Sequence, residues 1–241
     1  MNIVTPKIEL IASTTLTNTV GGGPKIEDWM SLNPDTTDAE SLVEHAGRGC
    51  YESWHRPNEA TAKTSDYINR TAFEMQHGSI LEHASATFRF SGVSRAWLCE
   101  MERHRHLSWS VVSQRYVGGD TFGVVMPPAI RDGDDAGGRG IWESEVAASF
   151  EAYDGWCADL ALQGLPRKQA REAARSVLPN ATEVRGVVTG NLRAWSTILP
   201  LRAHQSADRE MQEVSMLILD ALKPVAPTVT THIRQQIEEH A

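Results

Sequence analysis

The hydrophobic residues recur along the chain with two different periods, which predicts a mixture of strands and helices. Residues 84–91 alternate strictly, with alanine or phenylalanine at the even positions and serine, threonine or arginine at the odd ones. A period of two is typical of a strand that buries one of its faces. Three further apolar runs predict strands at residues 7–12, 121–126 and 183–189.

Helices are predicted where apolar residues recur every three or four positions. The longest such pattern, residues 142–163, aligns Val146, Phe150 and Tyr153 on one stripe and ends before Gly164. Residues that cap or break helices bound the others, from Thr37 to Gly47 or Gly49, Ser65 to His77, Ser94 to Arg103, Pro166 to Pro179, Asn191 to His204 and Asp208 to Leu222. Because strands and helices mix without a regular βαβ alternation, we expect an α+β fold.

Glycine, proline and aspartate mark three stretches that are predicted to be loops. They lie at residues 21–24, around residues 56–58 and at residues 131–140. The glycines at 21–23 do not have the GxGxxG spacing, so they do not predict a dinucleotide-binding loop.

Length and composition predict one ordinary globular domain over residues 1–241. The formal net charge of −8 argues against a general affinity for nucleic acid. No run approaches the roughly 20 apolar residues of a membrane span, and the N-terminus does not resemble a signal peptide. Cys50, Cys99 and Cys157 are scattered and odd in number, so we expect no disulfide framework and a cytoplasmic protein.

The stretch Arg103–Tyr116, called the basic segment below, carries the clearest candidate chemistry. It contains three arginines, two histidines and three serines, and no carboxylate. Guanidinium and hydroxyl donors without local acids suit an anion such as phosphate. Because Trp109, Val111 and Val112 lie inside the segment, part of it must be buried, which favours a site over a solvated face.

Three other patches are rich in polar groups that folding does not require. They are residues 77–83, the helical pair Arg171 and Arg175, and residues 191–202. Taken alone, each patch is more often structural than functional.

Other site types fit these patches less well. On a helix, His104 and His106 point about 200° apart and cannot share a metal, so we expect no metal site. Ser113 has no neighbouring carboxylate and is better interpreted as a hydrogen-bond donor than as a nucleophile. A nucleic-acid-binding module using the basic segment, and a metal-dependent hydrolase around His77, Glu82 and His83, remain as alternatives.

Four motifs in register resemble the flavin-dependent thymidylate synthases. Arg103-His104-Arg105, seven residues and then Ser113 match the RHR-x7-S signature, which Gln114-Arg115-Tyr116 continues. Residues 77–83 resemble the family's His-x-Ser/Thr-x-x-Glu-His turn, and residues 175–179 its Arg-x-x-Leu-Pro segment. Residues 191–203 are similar to its C-terminal signature. The resemblance covers about residues 50–220.

The resemblance implies an enzyme that converts dUMP to dTMP. Methylenetetrahydrofolate would donate the carbon, and a tightly bound FAD, reduced by NADPH, would supply the hydride. It also implies a mixed or antiparallel sheet flanked by helices, and a homotetramer with active sites at subunit interfaces. A related methylation of another pyrimidine nucleotide is the alternative; it would keep the flavin and phosphate contacts and alter those to the uracil edge.

Site residues follow from the resemblance position by position. The matches to FAD-binding positions are Ser79, Glu82, Arg103, His104, Arg105, Asn191, Leu192 and Arg193. The matches to dUMP-binding positions are Arg103, Ser113, Gln114, Arg115, Arg175 and Arg202. Arg202 matches the arginine at the uracil ring and is the predicted catalytic residue, since a fixed guanidinium stabilises negative charge on the pyrimidine.

The chain departs from the family pattern at three places. Glu100-Met101-Glu102 stands where a Gln-Trp pair usually precedes the RHR triplet. Val111 replaces a common Glu or Gln, and Thr197 lies where an Asn is expected. A carboxylate this close to an anion site is favourable only if an arginine pairs with it.

Overall fold

A four-stranded antiparallel sheet lies at the centre of the computed structural model, which describes residues 2–17, 36–53, 63–134 and 136–239. The strands are β1 (Ile3–Val4), β2 (Lys7–Ser13), β3 (Ser85–Ser94), β4 (Ser108–Val111), β5 (Val124–Val125) and β6 (Glu183–Asn191). The sheet order is β2-β3-β6-β4, and β1 pairs in parallel with β5. The two loops predicted at residues 21–24 and 56–58 lie outside the described residues.

Helices flank the sheet, which confirms the predicted α+β class. They are α1 (Asp38–Gly49), α2 (Thr64–Ile68), α3 (Arg95–Met101), α4 (Pro128–Arg131), α5 (Ala136–Leu162), α6 (Arg167–Ala174), α7 (Leu192–Ala203), α8 (Arg209–Leu222) and α9 (Pro227–Glu239). A π-helix (Asn69–Glu74) continues α2, and 3-10 turns occur at Gly78–Glu82, Gly119–Thr121 and Arg175–Val177. Within the described ranges, no helix combines the length and hydropathy needed to cross a bilayer.

The alternating pattern of β3 has the predicted consequence. Its alanine and phenylalanine side chains, including Phe88 and Phe90, are fully buried. Phe88 packs edge-on against Trp195 of α7, and Phe90 contacts Trp97 of α3. On the opposite face Thr87 exchanges a 3.0 Å hydroxyl hydrogen bond with Thr189 of β6. The sheet therefore carries the core on one face only.

Gly92 follows the alternating residues 84–91 and forms a bulge inside β3. Its φ of +67° lies in the left-handed region, and the register with β6 shifts between Phe90 and Val93. A Cβ at this position would lie 1.9 Å from the carbonyl oxygen of Thr5. The strand then continues to Ser94, whose hydroxyl accepts a 3.0 Å hydrogen bond from the Trp97 amide and caps α3 as predicted.

The helix predicted from Ser65 to His77 is wrong in its start and in its end. The N-cap position is Lys63, and the helix passes into the π-helix after Ile68. Gln76 then adopts a positive φ of 58°, which breaks the helix before Gly78. Gly78 therefore opens the next turn.

Two other predicted boundaries are wrong. The expected loop at 131–140 ends early, because α5 already begins at Ala136 and takes glycines into its first turns. There Arg139 donates to the Arg131 carbonyl, a tertiary contact that offsets the helix penalty of glycine. The strand expected at 121–126 is limited to Val124–Val125, because a 3-10 turn occupies the preceding residues.

The sequence analysis did not predict helix α9. A side chain of α1 forms hydrogen bonds with the first residues of this helix. Thr37 caps α1 as predicted by accepting from the Glu40 amide at 3.2 Å. The buried Glu40 carboxylate then accepts from the Thr228 amide at 2.6 Å and from the Thr228 hydroxyl at 2.9 Å. A carboxylate at a helix N-terminus satisfies amides that have no partner within the helix.

Candidate active site

A cavity of about 610 Å³ collects most of the residues that match FAD-binding positions. Six of the eight line it, namely Glu82, Arg103, His104, Arg105, Asn191 and Arg193. The remaining lining comes from His106, Ala194, Thr197 and Ile198. The cavity is thus bounded by the end of α3, the Gly78–Glu82 turn and the start of α7.

The end of β6 brings these segments together. Asn191 pairs across the sheet with Ser85, so the residues before β3 lie beside the start of α7. The Asn191 side-chain oxygen accepts a 2.8 Å hydrogen bond from the Ala194 amide and caps α7. In the first turn of that helix, Arg193 forms an ion pair with Glu82. The cap leaves the Asn191 side-chain NH₂ group available to a ligand.

Two of the eight matched positions do not line this cavity. Leu192 is fully buried in the core, and its amide donates to the Ala84 carbonyl at 2.9 Å. Ser79 lies in a second cavity of about 400 Å³, together with His77 and Gly78. Arg193 lines both cavities, so Ser79 is adjacent to the main site.

Arg202, near the end of α7, donates one hydrogen bond to His104 and two to Glu100. Its Nε donates to His104 Nε2 at 2.8 Å, its NH1 to Glu100 Oε2 at 3.1 Å, and its NH2 to the Glu100 carbonyl at 3.0 Å. The side chain is only 15% exposed. An arginine N–H can donate only to an unprotonated imidazole nitrogen, so His104 is neutral in this arrangement.

Burial is the main cause that lowers the pKa of His104, and the cations of Arg202 and Arg103 lower it further. The Glu100 carboxylate acts in the opposite direction. The hydrogen-bond pattern and the electrostatics therefore agree on a neutral imidazole at neutral pH.

The matched dUMP-phosphate residues lie apart from this cavity. Ser113, Gln114 and Arg115 follow β4, and Arg175 begins the 3-10 turn after α6. Among the described residues, none of these four lines the cavity. The separation follows from β4, because a strand of four residues spans roughly 13 Å between the two halves of the basic segment.

Helix α6 supports the second half of the basic segment. Arg115 forms a 2.9 Å ion pair with Glu172, and Arg171 donates to the Tyr116 carbonyl at 2.6 Å. The ammonium of Lys168 lies 4.9 Å from the centre of the exposed Tyr116 ring. Cations from two elements therefore converge on this turn, as an anion site requires.

Comparison with known proteins agrees with these motifs. The family model described as "Thymidylate synthase complementing protein" matches residues 32–228. The chain belongs to this family. A "Probable flavin-dependent thymidylate synthase" of Mycobacterium phage L5 is 49% identical over 195 residues, which cover 79% of each chain. The flavin-dependent thymidylate synthase of Mycobacteroides abscessus is 43% identical over 232 residues, covering 94% of this chain and 89% of the relative.

The fold is also similar to that of a solved thymidylate synthase structure. Thymidylate synthase X from Helicobacter pylori, crystallised with FAD and dUMP, superposes with a TM-score of 0.63 at 20% sequence identity. The match covers 95% of this chain and 98% of that one. The prediction that the chain is an enzyme of the flavin-dependent thymidylate synthase family is confirmed by the family match and the relatives.

The structure shows what contacts the residues at the three positions that depart from the family pattern. Glu100 pairs with Arg202 and, at 3.4 Å, with Arg103, which meets the condition for a carboxylate near an anion site. Val111 lies in β4 opposite Gly186. Thr197 lines the cavity and donates to the Arg193 carbonyl at 3.0 Å.

Sequence reasoning missed the position of His106, which was considered only as a metal ligand. Within the described ranges no group of three or more histidine, cysteine or acidic side chains could hold a metal. His106 lies in the turn between α3 and β4 and lines the cavity. His106 directly follows the RHR triplet, and this position was the signal in the sequence. The family motif does not specify a residue there.

Proposed function

We propose that this chain converts dUMP to dTMP, with methylenetetrahydrofolate as carbon donor and FAD, reduced by NADPH, as hydride source. The observation that carries the proposal is the hydrogen bond from the Arg202 guanidinium to His104, which lines the cavity together with other matched FAD positions. The names of the relatives support flavin dependence, and the Helicobacter pylori enzyme was crystallised with FAD and dUMP.

The donor set of the cavity fits a dinucleotide cofactor. Arg103, Arg105 and Arg193 offer guanidinium groups to a pyrophosphate, and Asn191 offers its side-chain amide. When bound, FAD would supply the hydride for the reduction. These residues would hold and orient it, while the neutral His104 keeps an additional positive charge out of the cavity.

Arg202 would activate the nucleotide. Its hydrogen bonds within the described structure use one N–H on each nitrogen, which leaves one N–H on NH1 and one on NH2 for a ligand. These two donors would face acceptors on the edge of a pyrimidine ring. Negative charge that develops at N3 and O4 would be stabilised there, which raises the electron density at C5 for attack.

No cysteine is required as a nucleophile in this proposal. Cys50, Cys99 and Cys157 are free thiols, and none of them lines the main cavity. Three free cysteines also suit a reducing compartment, so we place the reaction in the cytoplasm.

We propose a homotetramer in which one copy completes the site of another. Ser113, Gln114, Arg115 and Arg175 do not line the cavity of their own chain, which supports a site whose phosphate-binding group comes from a second copy. We expect light scattering to give four copies of the 26.6 kDa chain. Mixing Arg202→Ala and Arg115→Ala chains should then restore about a quarter of the wild-type activity, since intact sites form between unlike copies. No restoration would contradict the shared site.

The purified protein itself tests the proposed reaction. We expect a yellow protein whose flavin absorbance changes when dUMP is added, and dTMP formation when methylenetetrahydrofolate and NADPH are also present. A colourless protein that binds no added FAD would end the proposal. A flavoprotein that methylates another pyrimidine nucleotide in preference to dUMP would establish the alternative reaction.

A further inference from the structure

Glu100 contacts the Arg202 guanidinium through both its side chain and its backbone. Its carboxylate accepts from NH1 at 3.1 Å, and its carbonyl accepts from NH2 at 3.0 Å. The same Oε2 atom also accepts from Arg103 NH1 at 3.4 Å. One acidic residue thereby joins the proposed catalytic arginine to a matched FAD position.

We infer that Glu100 is a positioning residue that fixes the plane of the Arg202 guanidinium for the uracil ring. The inference rests on the proposed function. Arginine has four rotatable side-chain bonds, and the end of α7 by itself does not define where the guanidinium lies. Bonds from all three nitrogens to His104 and Glu100 define its plane, so each of the two remaining N–H donors keeps a fixed direction.

The negative charge of Glu100 is part of this role. Arg103 and Arg202 approach the same oxygen atom, and two guanidinium groups this close repel each other unless an anion lies between them. A glutamine of the same shape could still accept from one arginine. Its amide NH₂, however, would have to avoid both cations, so Glu100→Gln should loosen Arg202 without changing the volume of the side chain.

A direct contact between Glu100 and the nucleotide is the competing explanation. A double-mutant cycle separates the two, because a residue that acts through Arg202 loses its effect once the guanidinium is gone. Arg202→Lys retains the positive charge but not the planar fork of donors. The matched control is Glu102→Gln, which removes the same charge from an exposed residue beyond the end of α3.

The cycle is measured on FAD-loaded enzyme as the dissociation constant of dUMP, from the change in flavin absorbance. We expect Glu100→Gln to weaken dUMP binding about tenfold, at unchanged FAD content and melting temperature. In the Arg202→Lys background we expect its effect to fall below about twofold. Equal effects in both backgrounds, or wild-type affinity in Glu100→Gln, would overturn the inference. Glu102→Gln should bind dUMP as the wild type does.

A second measurement does not depend on the proposed reaction. A crystal structure of the FAD-loaded wild type should show Arg202 in one guanidinium orientation. The same structure of Glu100→Gln should show altered or multiple orientations. An unchanged Arg202 in the variant would refute the positioning role even if the wild type formed no dTMP. A wild type that neither binds dUMP nor forms dTMP would refute the proposed function instead.

Discussion

The substitution Arg202→Ala removes a guanidinium whose three nitrogens all donate hydrogen bonds in the site. It deletes the 2.8 Å bond to His104 and the 3.1 and 3.0 Å bonds to Glu100. In the proposed reaction this group stabilises charge that develops on the pyrimidine. Loss of one such fixed donor lowers kcat about 10²- to 10³-fold, which corresponds to about 2.7–4 kcal/mol. We expect dTMP formation at saturating dUMP to fall by this factor.

The same substitution should leave the fold and the cofactor in place. Glu100 is 39% exposed and retains Arg103 as a partner at 3.4 Å, so no buried charge is left unpaired. The matched FAD positions that line the cavity are other residues, so we expect the bound FAD content to stay near that of the wild type.

The assay combines the flavin absorbance per chain, a thermal melt and single-turnover dTMP formation by enzyme that NADPH has reduced beforehand. Arg234→Ala is the control, since Arg234 forms an exposed 2.7 Å ion pair with Asp220, and neither residue lines the cavity. That control should turn over at the wild-type rate. An Arg202→Ala rate within about twofold of wild type would refute the assigned role. Loss of the yellow colour would show that Arg202 serves the cofactor.

Three further predictions concern Ser113, the Glu40 contacts at the start of α9, and the partly buried His104. Ser113→Ala should raise the dUMP dissociation constant about tenfold and leave turnover at saturating dUMP, because a neutral donor is lost; complete loss of chemistry would instead indicate a nucleophile. Glu40→Ala should lower the free energy of unfolding by about 3 kcal/mol in urea titration, because it leaves buried donors of α9 unpaired, whereas the exposed Glu238→Ala should change it little. Burial lowers the pKa of His104, so its neutral form stabilises the fold above the ordinary pKa of about 6.5, and this contribution is lost as pH falls toward the folded-state pKa. Imidazole NMR, assigned with His104→Gln, should give a pKa below that ordinary value, and a value above it would contradict the Arg202–His104 bond.

Much of the secondary structure follows from local signals. The alternation before Gly92 predicted β3, and Thr37 and Ser94 predicted the starts of two helices, because a side-chain cap is a contact within three residues. The elements that were missed depend on distant partners. Strand β4 exists because it pairs with β6, and the start of α9 is satisfied by Glu40, 188 residues away.

The sequence by itself determined the family, and it predicted the residue types of the site and an anion-binding role for the basic segment. Local spacing is enough for these, since each motif is a short contiguous pattern. Only the tertiary structure decided which motifs meet: His104 and Arg202 are 98 residues apart, and only the packing of α7 beside the end of α3 joins them. It also separated Ser113 and Arg115 from that cavity, because β4 is extended and paired. Convergence across the chain is a property of packing, and spacing alone does not encode it.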